Sequence, residues 1–220
     1  MAENLNWELE MSNVSCYPWV MSHSLLIRNF VADAPELLAD LEPWAATKEA
    51  ERLVSYLATL AGKDFVKTFG RAIHKSATIE RGAVFKGPTY IGPNCLVAAG
   101  AYLRGGVWLE RDAIIGPNCE VKSTYMFAES KVAHLSFVGD SVLGRSVNVE
   151  AGAMLANYRN EKADKQITFN FNGQRIVTGV DKFGCILGDH ARVGANAVIA
   201  PGAAFAPGSL VKRLELVDQS

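Results

Sequence analysis

ATIERGAVFKGPTYIGPNCLVAAGAYLRGGVWLERDAIIGPNCEV, residues 77–121, repeats itself every six positions. Around and within it, apolar residues recur without a break at Ile73, Ile79, Phe85, Ile91, Val97, Leu103, Leu109, Ile115 and Val121. Four residues after each comes a mostly small one: Ala77, Ala83, Thr89, Cys95, Ala101, Val107, Ala113, Cys119 and, as the exception, Tyr125. A helix repeats at about 3.6 residues and a strand at about 2, so a strict six is neither alone. It is the period of a parallel β-helix built from hexapeptides. Three hexads make one triangular coil, and residues eighteen apart then stack at about 4.8 Å. The pattern returns at Leu187, Val193, Ile199, Phe205 and Val211, with Ala191, Ala197, Ala203 and Ser209 between.

Outward from this repeat the chain is less regular. Residues 1–32 carry Trp7, Tyr17, Trp19 and Phe30 without a clear period. Asp33-Ala34-Pro35 reads as a helix start, with Asp as cap and Pro in the first turn. Pro43 breaks that pattern. Ala50, Leu53, Val54, Leu57 and Leu60 follow helical spacing, which predicts a helix over about 46–61 ended by Gly62. Its apolar stripe should pack on the solenoid or on a neighbouring subunit. Gly92-Pro93-Asn94 and Gly116-Pro117-Asn118 have corner chemistry, Asn tolerating a left-handed conformation. The period slips between Phe127 and Leu143 and resumes at Val149 and Leu155. A polar segment without repeats follows from Asn157 to about Gly184. An insertion between coils must leave as a surface loop, and one this long is uncommon without a function. The expected organisation is an appendage over 1–70, a β-helix over 71–213 with its insertion at about 157–184, and a tail over 214–220.

The chain has 220 residues and a net charge of −1, enough for one solenoid and a small appendage. A nucleic-acid binder usually shows a basic excess, so that class is disfavoured. No run of about eighteen apolar residues offers a membrane span. MAENLNWELEMS lacks a secretory pattern, and a cytoplasmic protein is expected. The cysteines agree: Cys95 and Cys119 take small-residue slots on different faces, which disfavours a disulfide, and no C-x-x-C occurs.

Three basic residues stand eighteen apart, Lys86, Arg104 and Lys122. Each directly follows an inward residue, so each should point outward in one vertical stack. Like charges stacked so closely repel. A bound anion would relieve the Arg104/Lys122 pair, as phosphate recognition requires; a solvated or ion-paired face is the alternative, and the one preferred for Lys86. His134 lies in KVAHLSFVGD, where the period slips. Histidine titrates near neutral pH, which suits a general base, although a single His is often structural. His23, His74 and His190 read as structural.

AYLRGG, EVK, KVAHLSFVGD, LGRSVNVEAGA and ANYRN stand in that order between Ala101 and Tyr158. This stretch resembles the acetyltransferase half of the bifunctional glucosamine-1-phosphate acetyltransferase/N-acetylglucosamine-1-phosphate uridyltransferases. It is also similar to archaeal sugar-1-phosphate nucleotidylyltransferase/acetyltransferases, as is, more weakly, TFNFNGQRIVTGVDKFG. The resemblance implies an all-β, left-handed parallel β-helix, although parallel crossovers are otherwise right-handed. It implies a homotrimer with sites between subunits and an N-acetyltransferase that takes acetyl-CoA as co-substrate and an amino-sugar phosphate as acceptor. Arg104 and Lys122 fall where the family holds the sugar phosphate. His134 matches the catalytic base, Asn148 a substrate contact, and Asn157-Tyr158 a pair that positions amine and thioester. Lys165 lies near a substrate lysine but out of strict register, with Lys162 an equal candidate.

Three departures bear on that reading. Phe137 replaces a Tyr that touches substrate; one lost bond to a charged group is worth about 1.5–3 kcal/mol. Ala195 replaces a Ser near the thioester, where a backbone N–H would still serve as oxyanion donor. The solenoid ends early, leaving Lys212 and Arg213 to meet coenzyme A phosphates or to form a solvated basic tail. No metal is expected: no two histidines lie close in sequence, as ligands of the γ-carbonic anhydrase branch would require. No nucleotide-binding Gly-rich loop is found and residues 1–70 are too few for a Rossmann-like domain, so acetyl transfer alone is expected. The alternatives are a non-catalytic scaffold binding a nucleotide sugar or a partner protein, and a transferase for another acyl donor.

Overall fold

The hexads wind into a three-faced, left-handed parallel β-helix in a computed structural model that describes residues 25–68 and 70–220. Trp7, Cys16, Tyr17, Trp19 and His23 lie outside the described residues. Face one starts at Arg71–His74 and Thr89–Ile91 and ends at Cys185–Leu187 and Ala203–Phe205. Face two runs from Thr78–Ile79 to Leu210–Val211 in a seven-stranded sheet. Face three runs from Val84–Lys86 through Phe137–Gly139 to Leu216–Val217. That last rung carries the solenoid past Arg213, into residues expected to be a tail.

The inward residues of the hexads fill the interior: Ile91, Val97, Leu103, Leu109, Ile115 and Val121 are fully buried. Each contributes about 1.5–3 kcal/mol relative to exposure. Cys95 and Cys119 are buried free thiols among them, and burial pushes the Cys95 thiol up to about 11. Asn94 and Asn118 turn the corners with φ of 57° and 56°, the left-handed role their chemistry suggests.

The period slips earlier than Phe127. Opposite Gly105-Gly106 stands the single Ser123, so the ladder steps from Arg104↔Lys122 to Val107↔Thr124. One residue is lost at this corner, and Met126 becomes the inward residue. Tyr125 is therefore no exception among small slots. It points outward from face one in register with Tyr90, Trp108, Val142, Ile186 and Ala204.

That apolar outer ladder explains the rest of the fold, because something must cover it. The cover comes from the appendage and the insertion. Helices α1 (Glu36–Ala39), α2 (Pro43–Lys48) and α3 (Ala50–Leu60) form the appendage, with strand β1 (Phe65–Thr68) antiparallel to the first rung. Pro43 does not break a helix but begins one, since the first helical position needs no N–H. The single helix expected over 46–61 is thus two. Pro35, not Asp33, caps α1, without a side-chain bond. Extended backbone at Ala61, not Gly62, ends α3, and Leu60 is exposed. The insertion is more than a loop: Thr168–Phe171 and Gln174–Val177 pair as a hairpin. Trp44 meets Phe169 and Phe183 edge-on at 6.1 and 5.8 Å, closing a second core over Trp108, Tyr125 and Phe127. The Tyr125 hydroxyl donates to the Ala46 carbonyl at 3.1 Å.

Helix α3 sits directly on the corner at Gly106. A Cβ there would overlap the Ala50 carbonyl, and φ is +86°. Gly106→Ala should therefore lift α3 and cost about 2 kcal/mol. A fall in Tm of about 4–8 °C is expected; an unchanged Tm would contradict this docking.

Candidate active site

Faces two and three remain uncovered by the appendage, and the residues singled out in the sequence distribute over them and their corners. The corner between faces two and three stacks Pro117, His134, Ala151 and Ala195, each rung's backbone bonded to the next. His134 is exposed, and its imidazole has no hydrogen-bond partner among the described residues. Two rungs on, the Ala195 N–H donates to Glu150 Oε2 at 2.9 Å. That N–H was expected to face a developing oxyanion and is instead occupied. Arg213 donates twice to the same carboxylate at 2.9 Å, so it is an ion-paired residue rather than a free cation. The Lys212 side chain is exposed beside it.

The corner between faces three and one holds the charged ladder. Lys86, Arg104 and Lys122 are in direct register, as their spacing predicted. Arg104 donates to Glu120 at 2.7 Å. Lys122 donates to both oxygens of Asp140 at 2.7 Å. Asp140 is only 4% exposed and also accepts a short bond from the Asn157 amide. A buried carboxylate needs such partners, because an unpaired one is strongly disfavoured. Lys122 and Asn157, a phosphate ligand and a positioning residue by resemblance, are thus held by one acid.

The insertion leaves the solenoid at this same corner, which is why Asn157 reaches it. Its return is pinned there too: Phe183 N–H donates to the Asn157 carbonyl at 3.1 Å and Gly184 N–H to the Asp140 carbonyl at 2.9 Å. Tyr158 is 38% exposed. Lys165 folds back over its ring at 5.0 Å and donates to the Arg159 and Asn160 carbonyls. Lys165 is therefore tied within its own loop and away from the ladder. Arg159, almost fully buried, fixes the loop to the last rung through Asp218 at 2.6 Å, and holds that carboxyl well below the usual range.

Phe137 lies on face three between the two corners, its ring beside Gly139 together with the Asn157 amide. Any Cβ at Gly139 would strike both. Gly139→Ala should leave the core intact, displace Asn157 and lower turnover about 10²-fold, the effect of a misplacement near 1 Å. Turnover within about twofold of wild type would remove Asn157 from the site. Asn148 stands apart on face two between Lys131 and Arg192. Within one chain it does not join the ladder.

Sequence reading missed Asp140, Glu120 and Glu150. The count of eighteen that links Arg104 to Lys122 does not place Asp140, because the residue lost at Ser123 brings Gly139 into register with Lys122 and leaves Asp140 one position beyond the stack. Glu150 meets Ala195 only because the insertion is skipped, which no spacing discloses.

A hexapeptide repeat, coils stacked three hexads at a time, a charged ladder at one corner and an exposed histidine at another define a class. The family model "Bacterial transferase hexapeptide (six repeats)" matches residues 88–123. The chain belongs to the hexapeptide-repeat superfamily of transferases. It is 38% identical over 169 residues to a bifunctional sugar-1-phosphate nucleotidylyltransferase/acetyltransferase of Sulfurisphaera tokodaii, covering 69% of this chain and 39% of that one. It is 32% identical over 200 residues to the bifunctional protein GlmU of Marinobacter nauticus, covering 74% and 40%. The chain thus spans about two fifths of the length of these relatives. Among solved structures, the N-acyltransferase AntD of Bacillus cereus, in complex with dTDP and 3-hydroxybutyryl-CoA, is similar with a TM-score of 0.40 at 19% identity, covering 77% and 78%. A neighbour this distant says nothing of substrate.

Proposed function

We propose that the chain is an N-acetyltransferase that moves the acetyl group of acetyl-CoA to the amine of an amino-sugar phosphate such as glucosamine-1-phosphate. The observation that carries this is the ladder corner: Arg104 and Lys122 in register, with Asn157 locked beside them through Asp140. Arg104 and Lys122 hold the sugar phosphate by charge-assisted bonds. Asn157 and Tyr158 align amine and thioester. His134 takes the amine proton as the nitrogen attacks the thioester carbon. The C–N bond forms, the C–S bond breaks, and coenzyme A leaves with the electron pair as thiolate. Because Ala195 N–H is engaged by Glu150, oxyanion stabilisation there requires Glu150 to yield.

His134 and Asn148 stand on different surfaces from the ladder, which favours sites completed by a neighbouring copy in a homotrimer. The exposed Leu135, Met154, Val198 and Leu216 along that side suit such a contact. The test is release of free thiol from acetyl-CoA in the presence of glucosamine-1-phosphate, with glucose-1-phosphate as the amine-free control. Thiol released only with the amine supports transfer; equal rates with both acceptors would contradict it.

A second reading, a non-catalytic scaffold, draws on the occupied Ala195 N–H and on Phe137, which lacks a hydroxyl. It predicts no measurable acetyl-CoA binding.

A further inference from the structure

Tyr158 stands between two residues that are each held by an acid. Before it, the Asn157 amide is bound to Asp140. After it, Arg159 turns inward and is buried. Its guanidinium donates to the two oxygens of Asp218 at 2.6 and 2.9 Å and to the Pro201 carbonyl at 2.8 Å. A longer contact of 3.3 Å reaches the exposed Glu161. The Arg159 Nε finds no acceptor among the described residues.

Burying a guanidinium with one donor unmet is a costly way to fill space. An apolar side chain of similar length would fill it without that penalty. What the guanidinium adds is direction, because two bonds to one carboxylate fix angle as well as distance.

The anchor itself is fixed on both sides. Directly before Asp218, Leu216–Val217 pairs with Val198–Ile199. Directly after it, the Gln219 side-chain amide bonds both the N–H and the carbonyl of Ala204 at 3.1 Å. The Gln219 carbonyl also accepts from Asn170 N–H at 2.6 Å, which ties the hairpin to the same place. Arg159 passes this restraint to Tyr158 by two routes. One is the peptide bond between them. The other is Lys165, which donates to the Arg159 carbonyl at 3.1 Å and lies over the Tyr158 ring.

We propose that Arg159 and Asp218 are positioning residues: the last coil of the solenoid sets the direction of Tyr158 and of the Asn157 amide beside it. The consequence for turnover rests on the role given to that pair in the transferase reading above. Neither Arg159 nor Asp218 meets the reacting atoms.

The test compares Arg159→Met, Arg159→Lys and Asp218→Asn with the wild type by steady-state acetyl transfer and by backbone hydrogen exchange read in a mass spectrometer. Arg159→Met fills the space without a buried charge and should keep Tm near wild type. Asp218→Asn leaves the guanidinium without its nearest counter-charge and should lower Tm. In both, the segment 156–167, whose end amides bond to Ile199 and Val180, should exchange about tenfold faster or more, and residues 91–121 should not change. The kcat should fall about tenfold or more. KM for the sugar phosphate should stay within about twofold, because Arg104 and Lys122 are untouched. Arg159→Lys should behave like Arg159→Met, since one ammonium group cannot reproduce the fork. Full recovery of kcat by lysine would make charge alone the requirement and overturn the proposal. Unchanged exchange over 156–167, or faster exchange with wild-type kcat, would overturn it too. Faster exchange confined to this segment, in variants of a protein whose wild type shows no transfer, would keep the anchoring of Tyr158 and reject the transferase reading instead.

Discussion

His134→Ala should lower turnover about 10²-fold or more and leave the fold unchanged. The imidazole stands exposed on its corner, so removing it opens no cavity in the core. The rung contact at this residue is made by its backbone carbonyl, which accepts from Gly152 N–H at 2.8 Å whatever the side chain. Loss of activity would therefore report chemistry and not stability. The loss should fall on kcat, because the base acts as the amine attacks, while KM for the sugar, set by the ladder, stays near wild type. Near-normal turnover would remove His134 as the base. A loss entirely in KM would make it a binding residue.

Asp140→Asn should be the most disruptive single change at the site. The Lys122 and Asp140 side chains are 16% and 6% exposed. Removing one partner of such a pair leaves a charge poorly solvated and costs about 3 kcal/mol or more. For a chain of this size a fall in Tm of about 6–12 °C follows. The choice of Asn matters. Asp140 has φ of +43°, which Asn tolerates and Ala does not. Asp140→Asn removes the charge at constant backbone preference, and Asp140→Ala adds strain to that loss. Asp140→Asn leaves one neutral acceptor oxygen where Lys122 and Asn157 had shared a carboxylate, so both are loosened and turnover should fall at least as far as in Lys122→Ala. A variant with wild-type Tm and wild-type turnover would show that the acid holds neither residue.

The solenoid was legible because one period governs it. Ile91, Leu109 and Ile115 are inward since a six-residue repeat leaves them no other direction, and the eighteen-residue stack of Lys86, Arg104 and Lys122 follows from the same count. The appendage was less legible, for two physical reasons. Pro43 carries one signal for breaking a helix and for starting one, and only the chain before it decides. Tyr125 looked like a misfit because the lost residue at Ser123 shifts the inward position to Met126. The aromatic outer ladder of face one, Tyr90, Trp108 and Tyr125, could have shown that this face is covered. At the site, the resemblance supplied which residues to inspect, and the structure supplied what they touch. The occupied Ala195 N–H is a contact made across the insertion, and Lys165 folds back within a loop that has no repeat to place it.

Acetylation of the amine of a phosphorylated amino sugar held at the ladder corner can be observed in the product itself. The most direct measurement incubates the protein with acetyl-CoA and amino-sugar phosphates, and identifies products by mass spectrometry and nuclear magnetic resonance. An acetyl group on the amine nitrogen is expected, formed by the wild type and lost in Arg104→Ala and His134→Ala. Recovery of every acceptor unchanged, from folded protein with acetyl-CoA in excess, would contradict it.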